Sequence, residues 1–505
     1  MADPRRLRHC STKPRVFIVS DISNEPDDAE SLVRYLLYSN EFTTLGLVAT
    51  TSTWMRKVVH PEDMRKIVHA YGEVVDNLNA HVHPDNRYPT KDHLLSVIKS
   101  GPALYGREAL GDGVPVSEGA QLLVERVDEA EEPLWLLCWG GINVLAQALW
   151  HVRRQRTASE FARFRAKLRV YTISDQDDTG SWIRSSFPDI FYICSVHGWG
   201  EYGCAAWTGI SGDVLMPIDH GGPDPSKVTK EWLKKNIQIG PLGGVYPTYA
   251  FIMEGDTPTF LYLIQNGLGS PENPHWGSWG GRYSLVDIGG GANQYADARD
   301  AVVGLDGRNH RSNQATIWRW RDHYQDSFAA RMQWSLTGDR SEANHEPVVI
   351  VNGSSSGPEP LLLEVEAGEE VTLDASKSYD PDGDKLSFEW FQYKEPTAAQ
   401  SHVHWIVPDI DIKPAPSTTN DDDADNPRIV KIKLPPPETS AVNIVTGQAL
   451  EKGMALHFIL QVTDAGTPPL TTYKRIVVQT TNPNLLGGRS EVFDTVTDAI
   501  GKGED

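Results

Sequence analysis

The period of the apolar positions divides the chain in two. Up to about residue 340, solid apolar runs alternate with amphipathic stretches. Arg15–Ser20 (RVFIVS), Leu45–Thr50, Pro133–Cys138 (PLWLLC) and Leu168–Ile173 (LRVYTI) predict buried strands. Asp28–Ser39, with Leu32, Tyr35 and Leu36 on one face, predicts a helix, as do Pro61–Asn77 and Asn143–Arg153. Strand–helix alternation predicts an α/β fold with a mostly parallel sheet flanked by helices. Beyond residue 340 the period becomes two. Leu386, Phe388 and Trp390 alternate with polar residues, and so do Leu456, Phe458, Leu460 and Val462 across most of their run. Asp380–Asp384 (DPDGD) and Ala465–Pro469 (AGTPP) are turn clusters between such runs, a pattern that predicts an antiparallel β-sandwich. Glu342–Pro360, rich in Ser, Gly, Pro and Glu, is the expected linker, and Asn420–Asn426 (NDDDADN) an acidic loop. The expected organisation is a flexible segment 1–14, an α/β domain 15–340, a sandwich 341–482 and a tail 483–505.

Composition narrows the function classes. With 505 residues there is room for two or more cores, and 39% hydrophobic against 23% charged residues is the balance of a folded protein. The formal net charge is −21, which argues against a nucleic-acid partner, since that binding needs a basic footprint. About −15 of it falls beyond residue 340, so it is mostly the surface of the second module. No apolar run reaches the length of a membrane span. Met1 to Arg15 is polar and basic without an apolar segment and so is not a complete secretory signal, which leaves either an intracellular, cytoplasmic protein or one whose signal has been removed. Four cysteines (Cys10, Cys138, Cys194, Cys204) suggest neither a disulfide framework nor a zinc site. A homo-oligomer is compatible with all of this.

The chemistry concentrates in Val19–Ala29 (VSDISNEPDDA). Asp21, Glu25, Asp27 and Asp28 crowd into eight residues at the carboxyl end of the first strand, where open parallel sheets bind ligands. A helix cap needs one Asp; four carboxylates call for protons or a hard cation such as calcium. This segment resembles the N-terminal aspartate motif of nucleoside hydrolases, D-x-D-P-G-x-D-D-A. With Glu254–Ile264 (EGDTPTFLYLI), the following QNGLGSPENP and WGSWGGRY, it is similar to the nucleoside hydrolase-like family known as cellulose-binding proteins. Those pair such a Rossmann-like domain with a C-terminal sandwich.

The resemblance implies a calcium site, a glycosyl-bond hydrolase as one activity, and non-catalytic binding of cellulose or plant polysaccharide as another. A plain nucleoside N-ribohydrolase is a third. It implies a carbohydrate or glycoside partner and an extracellular setting. Position by position, Asp28 would bind calcium and Asp27, with Asn24 nearby, would contact sugar hydroxyls. Asp21 matches either the outer Asp of the motif, leaving Ser23 where the general base belongs, or, with a two-residue insertion, the calcium-binding base itself. Glu25 is the spare base. In Trp139–Leu149 (WGGINVLAQAL), Asn143 matches the segment that gives a backbone carbonyl to the metal. Asp256 matches the late Asp that completes the calcium site. Gly255 stands where many relatives carry a proton-donating His, which argues against an N-ribosidic substrate. In Ser174–Asp189, Asp175, Asp178, Trp182 and Arg184 are candidate substrate contacts.

Of 15 Trp, 13 precede residue 340, several beside Gly. Trp54, Trp199 with Tyr202, Trp276 with Trp279, Arg282 and Tyr283, and Trp318 with Trp320 are candidates for an exposed face that stacks on sugar rings; core packing is the competing reading. Val371–Tyr393 resembles PKD-type and cadherin-like immunoglobulin folds, with a second calcium site in DPDGD as an alternative to a plain turn.

Overall fold

The structure, a computed structural model, describes residues 3–197, 201–286, 293–354, 357–398, 407–415, 426–443, 446–488, 492–495 and 497–498. Trp199 and most of the acidic loop lie outside the described residues. The chain forms two compact units, Met1–Ile264 with Pro271–Asn344, and Gln265–Ser270 with His345–Asp505.

The first unit is built on an eight-stranded sheet in the order β3-β2-β1-β4-β5-β6-β8-β7. Its strands are β1 (Arg15–Ser20), β2 (Thr43–Ala49), β3 (Ile98–Ser100), β4 (Leu134–Cys138), β5 (Leu168–Thr172), β6 (Phe191–Cys194), β7 (Tyr283–Leu285) and β8 (Gln294–Asp297). All pairings are parallel except β7 with β8. Val16, Phe17, Ile18 and Val19 are all buried, because helices cover both faces of a parallel sheet. β1 pairs with β2 on one side and β4 on the other. The chain runs outward to β3 and returns beyond β1, so the order reverses between β1 and β4 and opens a crevice at their carboxyl ends. Separately, β9 (Asp300–Val303) and β10 (Asn309–Ser312) form an antiparallel pair.

The expected parallel sheet and flanking helices are present, with two differences in the helices. The Pro61–Asn77 helix is broken into Pro61–Gly72 and Val75–Ala80. The Asp27–Tyr38 helix buries ten of its twelve residues, not one stripe, because the helices Pro61–Gly72 and Arg321–Trp334 pack on its other sides. No described helix is long and apolar enough to cross a membrane.

The second unit contains two sheets. One has the order β11-β17-β16-β13 (Leu361–Glu366, Thr471–Thr481, Lys452–Asp464, Leu386–Gln392), the other β12-β15-β14 (Glu370–Asp374, Ile429–Lys433, Ile412–Pro414). Val371, Leu373, Val430 and Ile432 of one sheet share a core with Leu386, Phe388, Leu456, Phe458, Leu460, Val462, Ile476 and Val478 of the other, the interior of a sandwich. It is not wholly antiparallel: β11 runs parallel to β17. These strands begin and end the unit, so no hairpin dictates their sense. β16 also departs from one-sided burial, since His457 and Ile459 are buried too. The segment Gln265–Ser270 lies along neighbouring β17, where Asn266 O accepts from Tyr473 N at 2.8 Å and Gly267 O from Arg475 N at 3.0 Å. Gly267 has φ +87°, and a Cβ there would stand 2.0 Å from Tyr473 O.

Candidate functional site

The strand-end loops of the first unit are sewn together by main-chain bonds. Thr50 N donates to Ser20 O (2.8 Å), Trp139 N to Val19 O (2.8 Å), Gly141 N to Thr51 O (2.9 Å) and Thr53 N to Gln176 O (2.6 Å). Asp21 lies in this crevice at 2% exposure, immediately after β1. A Cβ on Gly140 would stand 2.7–2.8 Å from its Oδ1, Cβ and amide, so glycine is what lets the loop after β4 close over Asp21.

Three carboxylates converge beside it. One oxygen from each of Asp27, Asp28 and Asp256 lies within 4.8 Å of the other two. The first two open the helix Asp27–Tyr38, but no side chain caps that helix. Asp28 instead accepts from Ser20 Oγ at 2.5 Å. Asp256 sits just before a single helical turn, Pro258–Leu261. Its Oδ2, like Oδ2 of Asp21, is buried without a hydrogen-bond partner. Burial first, then mutual repulsion, raises the pKa of every member. Asp27 is pushed up to about 8 by burial and the charges of Glu25 and Asp21. Asp21 is pushed up to about 6 by burial, opposed by a hydrogen bond with Ser52. Asp28 and Asp256 are raised well above the usual carboxylate range for the same reasons. Glu25, half-buried, is raised by desolvation. Orphaned oxygens in an all-oxygen donor set are what a hard cation such as calcium satisfies.

The geometry bears on the two alignments of Asp21. Ser23, with φ +78°, is exposed and donates to Asp63 Oδ2 at 2.6 Å, away from the cluster. The charge of Asp21, like that of Glu25, reaches Asp27, Asp28 and Asp256. Asn24 closes the turn, its amide bonded to Asp21 O. At Gly255 a Cβ would stand 3.0 Å from Asp27 Oδ2 and 3.2 Å from the Trp207 ring, a tight fit in which those side chains would have to give by a few tenths of an ångström.

A second buried group holds the Asp256 loop from behind. Arg34 Nη1 donates to Glu254 Oε2 (2.6 Å) and Gln325 Oε1 (2.8 Å), and Tyr246 Oη to Glu254 Oε1 (2.8 Å). Glu254 N donates to Glu30 Oε2 at 2.9 Å. Thr257 Oγ1 bonds Ser31 Oγ at 3.0 Å, and Trp139 Nε1 donates to Thr259 Oγ1 at 2.8 Å. Glu254 adopts φ +55°, a left-handed conformation costly for Glu, which these contacts hold in place.

The other predicted residues have bonding partners of their own. Asn143 opens its helix, which commits its carbonyl to the helical ladder. Its side chain accepts from Thr50 Oγ1 (2.6 Å) and donates to Thr51 Oγ1 (2.9 Å) and Leu104 O (2.7 Å). Asp175 and Arg184 form a bidentate pair (2.7 and 2.6 Å). Asp178 accepts from Arg107 N, and Trp182 packs edge-on against Phe187. Trp279 is buried against Tyr324, and Arg282 is buried on Asp300 at 2.7 Å. Trp276 is half-buried beside His275. Trp318 and Trp320 are buried as well. Among the described residues, Trp54 is the tryptophan with a largely exposed ring, at 53%.

Sequence reasoning missed Asp177, buried behind the site, which accepts from Asn143 N and Thr179 N. It also missed Tyr202 as a site residue. Burial pushes the Tyr202 pKa up, a hydrogen bond with Trp54 opposes it, and the charges of Asp21, Glu25 and Asp175 add to the rise. The flanking glycines had marked that tyrosine only as an aromatic.

Residues 15–283 match the family described as cellulose-binding Sde182, nucleoside hydrolase-like domain, and residues 370–480 the family described as cellulose-binding protein Sde0182, C-terminal domain. A solved nucleoside hydrolase-related protein from Saccharophagus degradans, described as associated with carbohydrate metabolism, is 30% identical, with 93% of this chain and 100% of that one covered and a TM-score of 0.72. An inosine-uridine preferring nucleoside hydrolase from Bacillus anthracis is 15% identical over 63% of this chain and 100% of its own, with a TM-score of 0.30. No curated protein matches the chain.

Proposed function

The chain belongs to the nucleoside hydrolase-like family of cellulose-binding proteins, and from that premise we propose that its first unit is a calcium-dependent hydrolase of glycosyl bonds acting on a sugar or glycoside. The carrying observation is the convergence of Asp27, Asp28 and Asp256 beside Asp21, with buried oxygens left unpartnered. Asp28 and Asp256 would hold the ion, joined by Asp21. A calcium ion there would compensate the crowded charge and polarise water and sugar hydroxyls.

The chain's own groups do the rest. Asp27, at the mouth of the cluster, would accept hydrogen bonds from sugar hydroxyls. Asp21, fixed by Ser52 and the Gly140 approach, is placed to take a proton from attacking water; Glu25 is the less buried alternative. Tyr202, whose hydroxyl feels the charge of Asp21 and Glu25, is the candidate donor to the leaving group that Gly255 cannot supply. Glycosyl cleavage through an oxocarbenium-like state would gain from the negative field of the cluster. Turnover of aryl glycosides and nucleosides with calcium and with a chelator tests this. Activity that survives both chelation and Asp28→Asn would overturn it.

A second reading is non-catalytic binding of cellulose or plant polysaccharide. The exposed ring of Trp54 beside the same crevice favours it. Retention on insoluble cellulose without turnover, reduced in Trp54→Ala, would decide for it. Release of base from inosine or uridine would instead mark an N-ribohydrolase, which Gly255, with no proton to donate, disfavours.

A further inference from the structure

We propose that His9, His83 and Asp85 form a binding site for a divalent transition-metal ion of the zinc, copper and nickel class, built from residues separate from the acidic cluster. One ring nitrogen of each His and one oxygen of Asp85 lie within 4.8 Å of one another. The rings are 4.5 Å apart and tilted by 48°. Asp85 Oδ2 is 3.8 Å from His9 Nε2 and 3.6 Å from His83 Nδ1.

The donors come from two segments that other bonds already hold together. Cys10 N donates to Asn86 Oδ1 at 2.9 Å, and Asn86 Nδ2 returns a bond to Cys10 O at 2.7 Å. Asn86 N donates to His83 O (2.8 Å), Asp85 N to His83 Nδ1 (3.2 Å), and Lys13 Nζ to Arg87 O (3.0 Å). The residue after His9 and the residue after Asp85 are thus locked to each other, and an ion would not have to order the arm before binding it.

The chemistry differs from that of the acidic cluster. Two imidazoles and one carboxylate suit borderline transition metals, whereas calcium prefers oxygen alone. Metal–ligand bonds of about 2.0–2.2 Å require the donors to close by roughly an ångström, within reach of the exposed His9 side chain. Among the described residues, the other surface group with a His, His60, Glu62 and Asp63, is a poorer host. Asp63 is occupied by Lys66 Nζ (2.5 Å) and Ser23 Oγ (2.6 Å).

The test is zinc titration of the full chain with calcium saturating, followed by copper(II) electron paramagnetic resonance. Wild type should take up zinc, and His9→Gln and His83→Gln should each weaken it by no less than the roughly tenfold that loss of an outer partner costs. Copper should show nitrogen coupling from two imidazoles in wild type and from one in His9→Gln. His60→Gln should leave both readouts unchanged. Because His9 is exposed, His9→Gln keeps the test interpretable if His83→Gln fails to fold. No zinc uptake by wild type, uptake unchanged in both variants, or loss in His60→Gln instead would overturn the proposal.

Discussion

Two groups of buried carboxylates adjoin in the first unit, and they differ in what answers their charge. Glu254 is held by Arg34 and Tyr246, and its amide reaches Glu30. Two residues away on each segment, Asp28 before Glu30 and Asp256 after Glu254 face one another and Asp27, and the charges that reach them are those of other carboxylates. Burying charge costs free energy in both places. In the first the Arg34 guanidinium offsets the charge of Glu254, although Glu30 Oε1 and Arg34 Nε are themselves unpartnered and burial with the Glu254 charge raises the Glu30 pKa. In the second the charge is left open, with Asp21 Oδ2 and Asp256 Oδ2 unpartnered, so the group calls for a ligand.

Neutralising one residue of each group should therefore act with opposite sign. Asp256→Asn should abolish calcium binding and any turnover, yet raise the thermal midpoint of the calcium-free protein by relieving repulsion. Glu254→Gln should leave Arg34 buried without its anion and destabilise the fold by about 3–5 kcal/mol. It should also weaken calcium binding, because the loop carrying Asp256 loses its hold. Calorimetry of both variants with and without calcium reads all of this. A loss of apo stability in Asp256→Asn equal to that in Glu254→Gln would erase the distinction.

A smaller effect is expected from pH. Asp21 and Asp27 titrate near 6 and 8 when folded, above the ordinary value near 3.9 of the unfolded chain. The folded state thus holds protons that the unfolded state has released. Calcium-free stability is fully present below about pH 4 as far as these groups are concerned, and it falls as pH rises through 6 and 8. Saturating calcium should flatten that slope, and calcium affinity should rise over the same interval. A calcium-free midpoint that climbs between pH 5 and 8 would contradict the assignment.

The sheet was legible because strands such as RVFIVS are buried on both faces and show as solid apolar runs. The acidic cluster was legible because Asp27 and Asp28 stand together at a strand end, though Asp256 needed the family motif to join them. The helix Arg321–Trp334 was not. Arg321 and Arg331 lie inside it, paired with Asp213 and Glu41 more than 100 residues away. Buried ion pairs with distant partners make an interior helix look like a surface one. The same blindness made Trp279, Trp318, Trp320 and Arg282 look like a sugar-binding face. Beside Gly and Arg in sequence, they are enclosed by Tyr324, Asp219 and Asp300 in space.

The smallest expected effect separates the remaining aromatic candidates. Trp54 follows β2, and its amide and that of Met55 bond Ser52 Oγ, the hydroxyl that also serves Asp21. The turn is therefore held by its backbone, and the ring adds a hydrogen bond to the Tyr202 hydroxyl. Trp54→Ala should change stability by less than about 0.5 kcal/mol and leave calcium affinity unchanged. Retention on cellulose should fall several-fold, the scale of about 1 kcal/mol for one stacked ring. Trp279→Ala should do the reverse. Removing a buried Trp costs about 3–5 kcal/mol, so it would lower the melting midpoint, while any protein that stays folded keeps wild-type retention. Equal retention in wild type and Trp54→Ala would mean that carbohydrate meets the first unit elsewhere than at this exposed ring.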